Sequence, residues 1–349
     1  MPPTPYMSII IPVYNGGDHF RCCLEALGQA TFTDWELIVV DDGSTDGSLA
    51  LANEFGALTW QTEGRQGPAR ARNEGARLAS GHLLVFIDAD CAILPDTLAK
   101  IAQNFAAHPQ LDALFGSYDD EPGTTNFVGQ YKNLFHHYIH QHSSAQASTF
   151  WTGCGAIKRT RFLALKGFNP RRYSRPSIED IDLGYRLKQA EGQIRLAKEV
   201  QVKHLKAWTL TSLLKSDILD RGIPWTRLIL AGHVFTSDLN LQTHNRISVV
   251  AIYGLLLALV AALFQPIALL IALGLMFLLL WLNWSLYRFF YDKRGLSFAL
   301  RVIPLHWFYY FYNAISFAGG FLLHWRDQFR AKPVVSTKPQ VDRINDGTN

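Results

Sequence analysis

An uncharged run near the C-terminus constrains this chain more than any other feature. Residues 247–287 contain no Asp, Glu, Lys or Arg. A membrane-spanning helix needs about 20 apolar residues, so the run is long enough for two helices and too long for one buried core helix. Gln265 and Pro266 interrupt it near its middle. We therefore predict a hairpin of two helices, over residues 248–264 and 266–286.

A third uncharged stretch, residues 302–325, is rich in aromatic side chains. It is long enough to cross a membrane as a third helix, or it can lie partly in the interface. The sequence thus predicts two or three transmembrane helices over residues 247–325, followed by a polar tail, 326–349. Between the second and third stretches lie four basic residues: Arg288, Lys293, Arg294 and Arg301.

The positive-inside rule gives the orientation of these helices. The basic loop is expected in the cytoplasm and the uncharged hairpin tip outside. This orientation places the N-terminal part in the cytoplasm, and residues 1–5, which lack the basic region of a secretory signal, do not contradict it. A third span would place Arg326, Arg330 and Lys332 outside, against the same rule. We predict a multi-pass protein of the cell (inner) membrane whose N-terminal domain faces the cytoplasm.

Composition and charge agree with a chain that lies only partly in water. Of 349 residues, 18% are charged, against about 25% in soluble proteins. Residues 1–157 carry a net charge of −10, residues 158–246 carry +9 and residues 247–349 carry +5. A basic region that flanks apolar spans is typical of contact with anionic lipid headgroups. We therefore predict the membrane as a partner, and no nucleic acid.

Cysteine usage argues against a disulfide scaffold or a structural zinc site. The four cysteines form no CxxC pair, which is consistent with a reduced, cytoplasmic environment. They are Cys22, Cys23, Cys91 and Cys154.

The N-terminal 200 residues alternate short apolar runs with helical patterns. Apolar runs over 7–13, 35–40 and 82–87 are typical of buried strands, and the segments 20–30, 48–55 and 69–79 of helices. Such alternation predicts βαβ units and an α/β fold with a mostly parallel sheet. Residues 193–202 are predicted as a later strand and 181–189 as an amphipathic helix.

Polar clusters follow each of the first three predicted strands. They are Tyr14-Asn15, Asp41-Asp42-Gly43-Ser44 and Asp88-Ala89-Asp90. In sheets of this kind the ligand lies at the carboxyl ends of the strands. Several carboxylates gathered there repel one another unless a cation is present, and oxygen ligands suit Mg²⁺ or Mn²⁺ bridging to substrate phosphates. We predict such an ion as cofactor.

A glycine-rich turn, residues 64–68, precedes a predicted helix that carries Arg70 and Arg72 in its first turns. Backbone N–H groups, the helix dipole and guanidinium groups together favour a pyrophosphate. The alternative is a pair of solvated arginines on an ordinary helix.

Five motifs in order resemble the family 2 glycosyltransferases of the GT-A fold. The resemblance covers about residues 7–205. Its motifs are Pro12-Val13-Tyr14-Asn15, Asp41 to Asp46, Gly67 to Gly75 with Ala71-Arg72-Asn73, Asp88-Ala89-Asp90, and Glu179-Asp180. It implies an inverting, metal-dependent enzyme that uses a nucleoside-diphosphate sugar as donor, with residues 1–100 as the nucleotide-sugar half and 101–205 as the acceptor half.

The resemblance also implies roles for individual residues. Donor-binding residues are Pro12 and Tyr14 at the nucleobase, Asp42 at the base or ribose, Arg72 near the diphosphate and Asp88 at the ribose or metal. Metal ligands are Asp90, Asp88 and His204. The catalytic pair is Glu179-Asp180, with Asp180 as the general base; Asp182 is the alternative base.

Acceptor-side residues are expected in the small-residue segment Gly153-Cys154-Gly155 and at Trp208. In the family, small residues there let the acceptor approach the donor sugar. Processive synthases of the family carry a QxxRW motif, and Leu205-Lys206-Ala207-Trp208 departs from it, which argues against processive synthesis.

Two further segments leave alternatives open. His136, His137, His140 and His142 could form a zinc site, although a partly exposed helix or loop over the active site is favoured. Residues 206–246 mix apolar, aromatic and basic residues. They are expected to form amphipathic helices in the headgroup plane, or else helices packed on the globular domain.

The sequence therefore predicts a membrane-anchored glycosyltransferase with a 1–205 catalytic domain. It would move a sugar, from a UDP-sugar by preference, to a lipid or lipid-linked acceptor at the cytoplasmic face. The alternative is a catalytically inactive nucleotide-sugar-binding scaffold of a polysaccharide or glycolipid assembly complex.

Overall fold

The computed structural model describes residues 4–232 and 243–330. The catalytic part contains nine strands and seven helices: β1 (Met7–Val13), α1 (Gly17–Gly28), β2 (Trp35–Asp41), α2 (Ser48–Glu54), β3 (Leu58–Gln61), α3 (Pro68–Leu78), β4 (Leu83–Ile87), β5 (Cys91–Ile93), α4 (Thr97–Ala107), β6 (Ala113–Tyr118), α5 (Phe127–His142), β7 (Gln146–Ala147), β8 (Cys154–Lys158), α6 (Arg159–Ala164), α7 (Glu179–Gln189) and β9 (Ile194–His204).

The C-terminal part is helical. It contains α8 (Leu210–Lys215), a π-helical turn (Ser216–Gly222), α9 (Ile223–Leu230), α10 (Thr243–Ala262), α11 (Ala268–Leu282) and α12 (Trp284–Arg330), which is bent at Gly295. Most predicted elements of the first 200 residues are present with ends shifted by one to three residues. Continuous apolar runs identified the strands, because both faces of this sheet are covered.

All nine strands join one sheet, in the order β3-β2-β1-β4-β8-β6-β9-β5, with β7 paired to β9. The sheet is mixed, so the prediction of a mostly parallel sheet is wrong for the second half, where β6 and β9 are the described pair that runs parallel. The pairs among β1 to β4 are parallel, whereas β8 runs antiparallel to both β4 and β6, and β5 and β7 run antiparallel to β9. Apolar runs predict a buried strand but not its direction. The sequence pattern therefore could not distinguish this mixed, GT-A-like sheet from a parallel one.

The described residues form two separate hydrophobic cores. The first encloses the sheet and its flanking helices. The second joins one face of α5, through Tyr131, Leu134 and Phe135, to Trp208, Leu213 and the interior faces of α10, α11 and α12. Helix α5 therefore connects the sheet to the C-terminal helices, and no break between the cores falls at residue 205. The predicted domain boundaries stay predictions.

One described helix, Thr243–Ala262, is long and apolar enough to cross a membrane. The pair Ala268–Leu282 and Trp284–Phe329, bent by 63°, would make a second only if its two helices formed one broken span. Two or three separate spans are thus not supported. The predicted hairpin is present, with its break near Gln265, but its second helix is only 15 residues long.

A separate third span over 302–325, one of the two alternatives for this stretch, is not supported among the described residues. At the start of α12, Arg294 Nε donates to Gln130 Oε1 at 2.6 Å, and at its end Asp327 pairs with Arg227 at 2.6 Å. Between them, the Tyr312 hydroxyl donates to Asp217 at 2.8 Å. Because both ends and the middle contact the catalytic part and α8–α9, the helix lies along the domain. Without a separate third span, Arg326 need not lie outside the membrane, and the conflict with the positive-inside rule does not arise.

Residues 206–230 form helices packed on the protein, the second of the two alternatives. Leu213 and Leu228 are buried, and α9 and the π-helical turn lie against α12. The prediction of interfacial helices extended to residue 246, and residues 233–242 lie outside the described part of the chain, as do residues 331–349 of the predicted tail and its Lys332.

Candidate active site

The loops after β1 and β2 hold each other at the carboxyl edge of the sheet. The parallel register places Val13 opposite Asp41. Asn15 Oδ1 accepts from the Thr45 backbone N–H at 2.8 Å, and Asp46 Oδ2 accepts from that of Gly17 at 2.9 Å. The polar clusters singled out in the sequence therefore meet, and much of their polarity is used in fixing one another.

Asp42 is buried, and its carboxylate holds the glycine-rich turn. It accepts from the backbone N–H groups of Gln66 and Gly67, at 2.7 and 2.8 Å, and from the Thr62 hydroxyl at 3.0 Å. Gly67 has φ of 89°, and a Cβ there would lie 2.4 Å from the Ser174 carbonyl oxygen. Only glycine fits this position. Asp42 therefore shapes the donor loop; its predicted contact with the base or ribose stays a prediction.

Arg72 lies at the centre of a buried ion cluster. Its guanidinium donates to Asp88 Oδ1 at 2.6 Å and to Glu179 Oε1 at 2.8 Å. These contacts join α3, the end of β4 and the start of α7, which are far apart in sequence. The side chain is only 5% exposed, so the predicted contact with a diphosphate would have to be made from within this cluster. Arg70, two residues earlier and on the exposed side of the same helix, pairs with Glu74.

Tyr14 and Pro12 lie at the same edge. Tyr14 is 41% exposed, and the Arg65 guanidinium stacks over its ring at 4.1 Å from the centroid. Pro12 is partly exposed near the end of β1. The exposed ring of Tyr14 suits stacking of a base, and the Arg65 guanidinium suits a phosphate. The donor-binding roles of Tyr14 and Pro12 stay predictions.

Asp90 and His204 form a group that can hold a divalent ion. His204 Nε2 lies 3.5 Å from Asp90 Oδ2, and with Cys91 they are one described group of potential ligands. The Nδ1 of His204 lies 2.6 Å from Asn133 Oδ1. Because an amide oxygen only accepts, Nδ1 is the donor in this contact, and the ring is held with Nε2 towards Asp90. Asp88, the other predicted ligand, instead pairs with Arg72.

The Asp90 carboxyl is held in the form that binds cations. Burial by itself would raise its pKa, but His204, Lys206 and His19 together outweigh burial and lower the pKa to about 2. Burial raises the pKa of the Cys91 thiol well above its usual range, so Asp90 and His204 are the stronger ligands of this group. Nothing in the sequence motif had indicated Asn133, which orients His204 from α5.

Asp180 is the second residue of α7 and has the protonation properties of a base. Burial, followed by the adjacent Glu179 carboxylate, raises the pKa of the Asp180 carboxyl to about 6, against smaller opposing effects that include Arg72 and Arg221. Glu179 is buried against Arg72, so it acts on Asp180 through charge. The alternative base, Asp182, is buried and pairs with Arg186 at 2.8 Å.

The predicted acceptor-side residues do not line an open site. A Cβ on Gly153 would lie 2.2 Å from the Trp151 ring, and one on Gly155 would lie 2.2 Å from the Trp151 carbonyl oxygen. Their small size thus accommodates Trp151. Cys154 is fully buried in β8, where burial raises the pKa of its thiol to about 12. Trp208 is buried beside His204 and under Lys206.

A cavity of about 540 Å³ begins at Asp180 and extends between the catalytic part and the C-terminal helices. Its catalytic side includes Phe135, Phe150 and Trp151, and its helical side includes Trp225, Val249, Tyr309 and Phe317. Most of the cavity surface is apolar, but nearly half of the lining residues are polar or charged. Lys132, Asp180, Asp217, Arg221, Asn245, Arg246 and Asn313 are among them.

The histidine group on α5 contributes to this cavity and shows no zinc arrangement among the described residues. His136 and His140 line it, and burial lowers the pKa of both, to about 3 for His140. They are therefore neutral imidazoles at pH 7. His140 Nδ1 hydrogen-bonds the Gly116 carbonyl at 3.0 Å, and α5 is a packed helix over the site.

Sequence reasoning missed most of this cavity. Arg221 and Trp225 were predicted only as members of the amphipathic segment 206–246, and Lys132 and Asp217 were not singled out. The one available signal was the basic and aromatic mixture of residues 213–230, which is not specific for a site.

Comparisons with known proteins agree with the motifs. Residues 8–164 match the model of glycosyl transferase family 2. The chain is 33% identical over 185 residues to the PGL/p-HBAD biosynthesis glycosyltransferase of Mycobacterium bovis BCG, across 50% of this chain and 72% of that protein. It is 36% identical over 113 residues to the uncharacterized glycosyltransferase YibD of Escherichia coli K12, spanning 31% of this chain and 33% of that protein.

Among solved structures, the mannosyltransferase PcManGT of Pyrobaculum calidifontis, in complex with GDP-mannose and Mn²⁺, resembles this fold. The TM-score is 0.54 at 17% identity, covering 94% of this chain and 89% of that one. The shared fold therefore extends beyond the sheet into the C-terminal helices. With the ordered motifs and the mycobacterial relative, these findings show that the chain belongs to glycosyltransferase family 2.

Proposed function

We propose that the protein is an inverting, metal-dependent glycosyltransferase. It transfers a sugar from a nucleoside-diphosphate sugar, UDP-linked by preference, to a lipid or lipid-linked acceptor at the cytoplasmic face of the cell membrane. The observation that carries the proposal is the cavity that connects Asp180 to α10 and α12. A mostly apolar pocket with a few convergent polar groups is typical of a site for an amphipathic ligand.

The donor is assigned to the carboxyl edge of β1, β2 and β4. Tyr14 and Arg65 would hold the base and a phosphate, and the loop fixed by Asp42 would bring its backbone N–H groups and the start of α3 to the diphosphate. Asp90 and His204 would hold Mn²⁺ or Mg²⁺ beside that diphosphate, and the ion would offset the charge of the leaving group. Arg72 would position Asp88 and Glu179 for this arrangement.

Transfer is assigned to a single displacement. A hydroxyl oxygen of the acceptor attacks the anomeric carbon as the bond from that carbon to the diphosphate oxygen breaks. The hydroxyl proton passes to Asp180, and the nucleoside diphosphate leaves with the bonding pair. A carboxyl with a pKa of about 6 is largely ionised at pH 7 yet basic enough to take this proton. Attack opposite the leaving group inverts the anomeric centre.

The membrane assignment rests on the hairpin of α10 and α11. Its outer face carries apolar side chains that are at least 65% exposed, including Leu257, Phe264, Phe277 and Trp281. The basic residues predicted in a loop lie in α12, and two of them, Lys293 and Arg294, contact Asp120 and Gln130 of the catalytic part. The positive-inside rule that puts these basic residues in the cytoplasm therefore puts the catalytic part there too.

The test uses the purified full chain in lipid nanodiscs with Mn²⁺, a panel of UDP- and GDP-sugars, and membrane lipid extract. Mass spectrometry of the lipids should find a product heavier by one sugar residue, formed by the wild type and not by Asp180→Asn. A protein that binds donor but forms no glycolipid, and whose Asp180→Asn form restores a deletion strain as well as the wild type, would instead be the inactive scaffold.

A further inference from the structure

Arg221 is a cation in the cavity without an anionic partner. It lies on the π-helical turn and lines the cavity that also contains Asp180. Both acidic residues of the same turn are paired with other cations: Asp217 with Lys132 at 2.6 Å, and Asp220 with Arg175 at 3.3 Å. Within residues 4–232 and 243–330, no carboxylate lies within salt-bridge distance of Arg221.

Arg221 is partly exposed, and its surroundings leave its charge without a counter-ion. The second oxygen of Asp217 accepts from Tyr312, so that carboxylate has no free oxygen to offer. The cavity histidines, His136 and His140, are neutral because burial lowers their pKa values. Walls such as Phe135, Trp225 and Tyr309 supply little hydration. A guanidinium in such surroundings is stabilised by a ligand that brings its own negative charge.

Asp180 does not serve as that partner. The two groups are close enough that Arg221 opposes the rise in the pKa of the Asp180 carboxyl, yet they form no ion pair. Asp180 instead accepts weakly from the Thr152 backbone N–H at 3.3 Å. The carboxylate thus stays available as a base, while the cation beside it stays available to an anion.

We propose that Arg221 binds a phosphate group of the lipid acceptor. This inference rests on the proposed function and deepens it, because it selects a phosphate-bearing lipid over a neutral glycolipid. Phosphate is the anion that membrane lipids carry where the apolar chain meets the polar head. The guanidinium fork matches its oxygens, and the apolar walls of α10 and α12 are positioned to take the chain. Arg246, exposed on the same cavity, adds to the positive potential.

The diphosphate of the donor is the other source of the same chemistry. The groups placed for it, Asp90 with His204 and the loop held by Asp42, lie at the sheet edge, and Arg221 lies in the cavity that leaves this edge towards the helices. Separate binding measurements distinguish the two sources. One uses UDP with Mn²⁺, and the other uses farnesyl phosphate and farnesol, which share one apolar chain.

The experiment measures dissociation constants on the full chain in detergent for wild type, Arg221→Gln, Arg221→Lys and Arg288→Gln. Arg288 pairs with Asp292 on the surface, so Arg288→Gln removes the same charge outside the cavity. Wild type should bind farnesyl phosphate roughly 10- to 100-fold more tightly than farnesol. Arg221→Gln should abolish that preference, Arg221→Lys should keep part of it, and Arg288→Gln and all UDP affinities should match wild type.

Three outcomes would overturn the inference. Equal binding of farnesyl phosphate and farnesol by the wild type would leave a lipid acceptor possible but remove the phosphate. If a folded Arg221→Gln protein kept the wild-type preference for farnesyl phosphate over farnesol, Arg221 would not be the phosphate-binding residue. Weaker UDP binding with unchanged farnesyl phosphate binding would assign Arg221 to the donor. Absence of any lipid binding by the wild type would instead count against the proposed function itself.

Discussion

The donor edge and the acceptor cavity are built differently. At the donor edge, charged side chains are paired within the protein: Asp42 with the loop of Gly67, and Arg72 with Asp88 and Glu179. In the cavity, Asp180 and Arg221 lie near each other without pairing, and the walls come from elements as distant as α5 and α12. The side chains of the donor edge are held in place by pairing within the protein, whereas Asp180 and Arg221 in the cavity are left available to a ligand.

This difference explains what the sequence could predict. Donor residues follow directly after strands, so local motifs place them together once the parallel strands are recognised. Asp180 was also found, because it stands beside Glu179 at a helix start. Arg221, Lys132 and Asn133 act through contacts between α5, the π-helical turn and the end of β9, and no local pattern specifies those contacts.

The same limit applies to the fold. The hairpin at residues 243–282 was predicted because a charge-free run has few alternatives. The course of α12 along the catalytic part was not, since it depends on single contacts such as Arg227 with Asp327. Strand direction in the second half of the sheet likewise depends on pairing partners and not on composition.

The largest expected effect is that of Asp180→Asn, which should lower transfer without changing donor binding. Asp180→Asn keeps the side chain's size and removes its ability to take a proton. Transfer should fall by about 10²- to 10⁴-fold, with the affinity for UDP and Mn²⁺ near that of wild type. Initial rates and calorimetry measure the two quantities. Full activity in Asp180→Asn together with loss in Asp182→Asn would reassign the base.

Breaking the donor frame should affect stability. Arg72→Met leaves Glu179 and Asp88 without their cation, and removal of one partner from a buried ion cluster costs about 3–5 kcal/mol. Thermal unfolding in detergent should show a much lower midpoint. Arg70→Met, which breaks an exposed pair with Glu74 on the same helix, is the matched control and should shift it little. Equal shifts would mean that the Arg72 cluster does not hold the frame.

The metal ligands can be weakened without touching them. Asn133→Ala removes the acceptor that orients His204, and loss of such a partner typically weakens metal affinity by about 10- to 100-fold. Titration of UDP binding with Mn²⁺ measures the shift. Asn104→Ala, at a buried asparagine bonded to Glu199, should leave the titration unchanged. An unaltered Mn²⁺ requirement in Asn133→Ala would argue against His204 as a ligand.

The smallest expected effect is on pH dependence. Because the pKa of the Asp180 carboxyl is raised to about 6, the base is lost to protonation as pH falls through that value. Transfer should be near its plateau at pH 7.5 and fall by about tenfold per unit well below pH 6. The same raised pKa means that stability from the neutral carboxyl, present below its unfolded pKa of about 3.9, is lost as pH rises through 6. A rate that is flat down to pH 5 would exclude a base of this kind.

The central claim is that the acceptor reaches Asp180 through the cavity beside α12, and a side chain that fills the cavity tests it most directly. Ala314 lines the cavity, and Ala318 is exposed one turn along the same helix. Ala314→Trp should lower transfer to lipid by about 10²-fold, because small displacements of a reacting group cost that much, while UDP binding stays unchanged. Ala318→Trp should behave as wild type. Equal transfer rates for Ala314→Trp, Ala318→Trp and the unsubstituted chain would contradict the account.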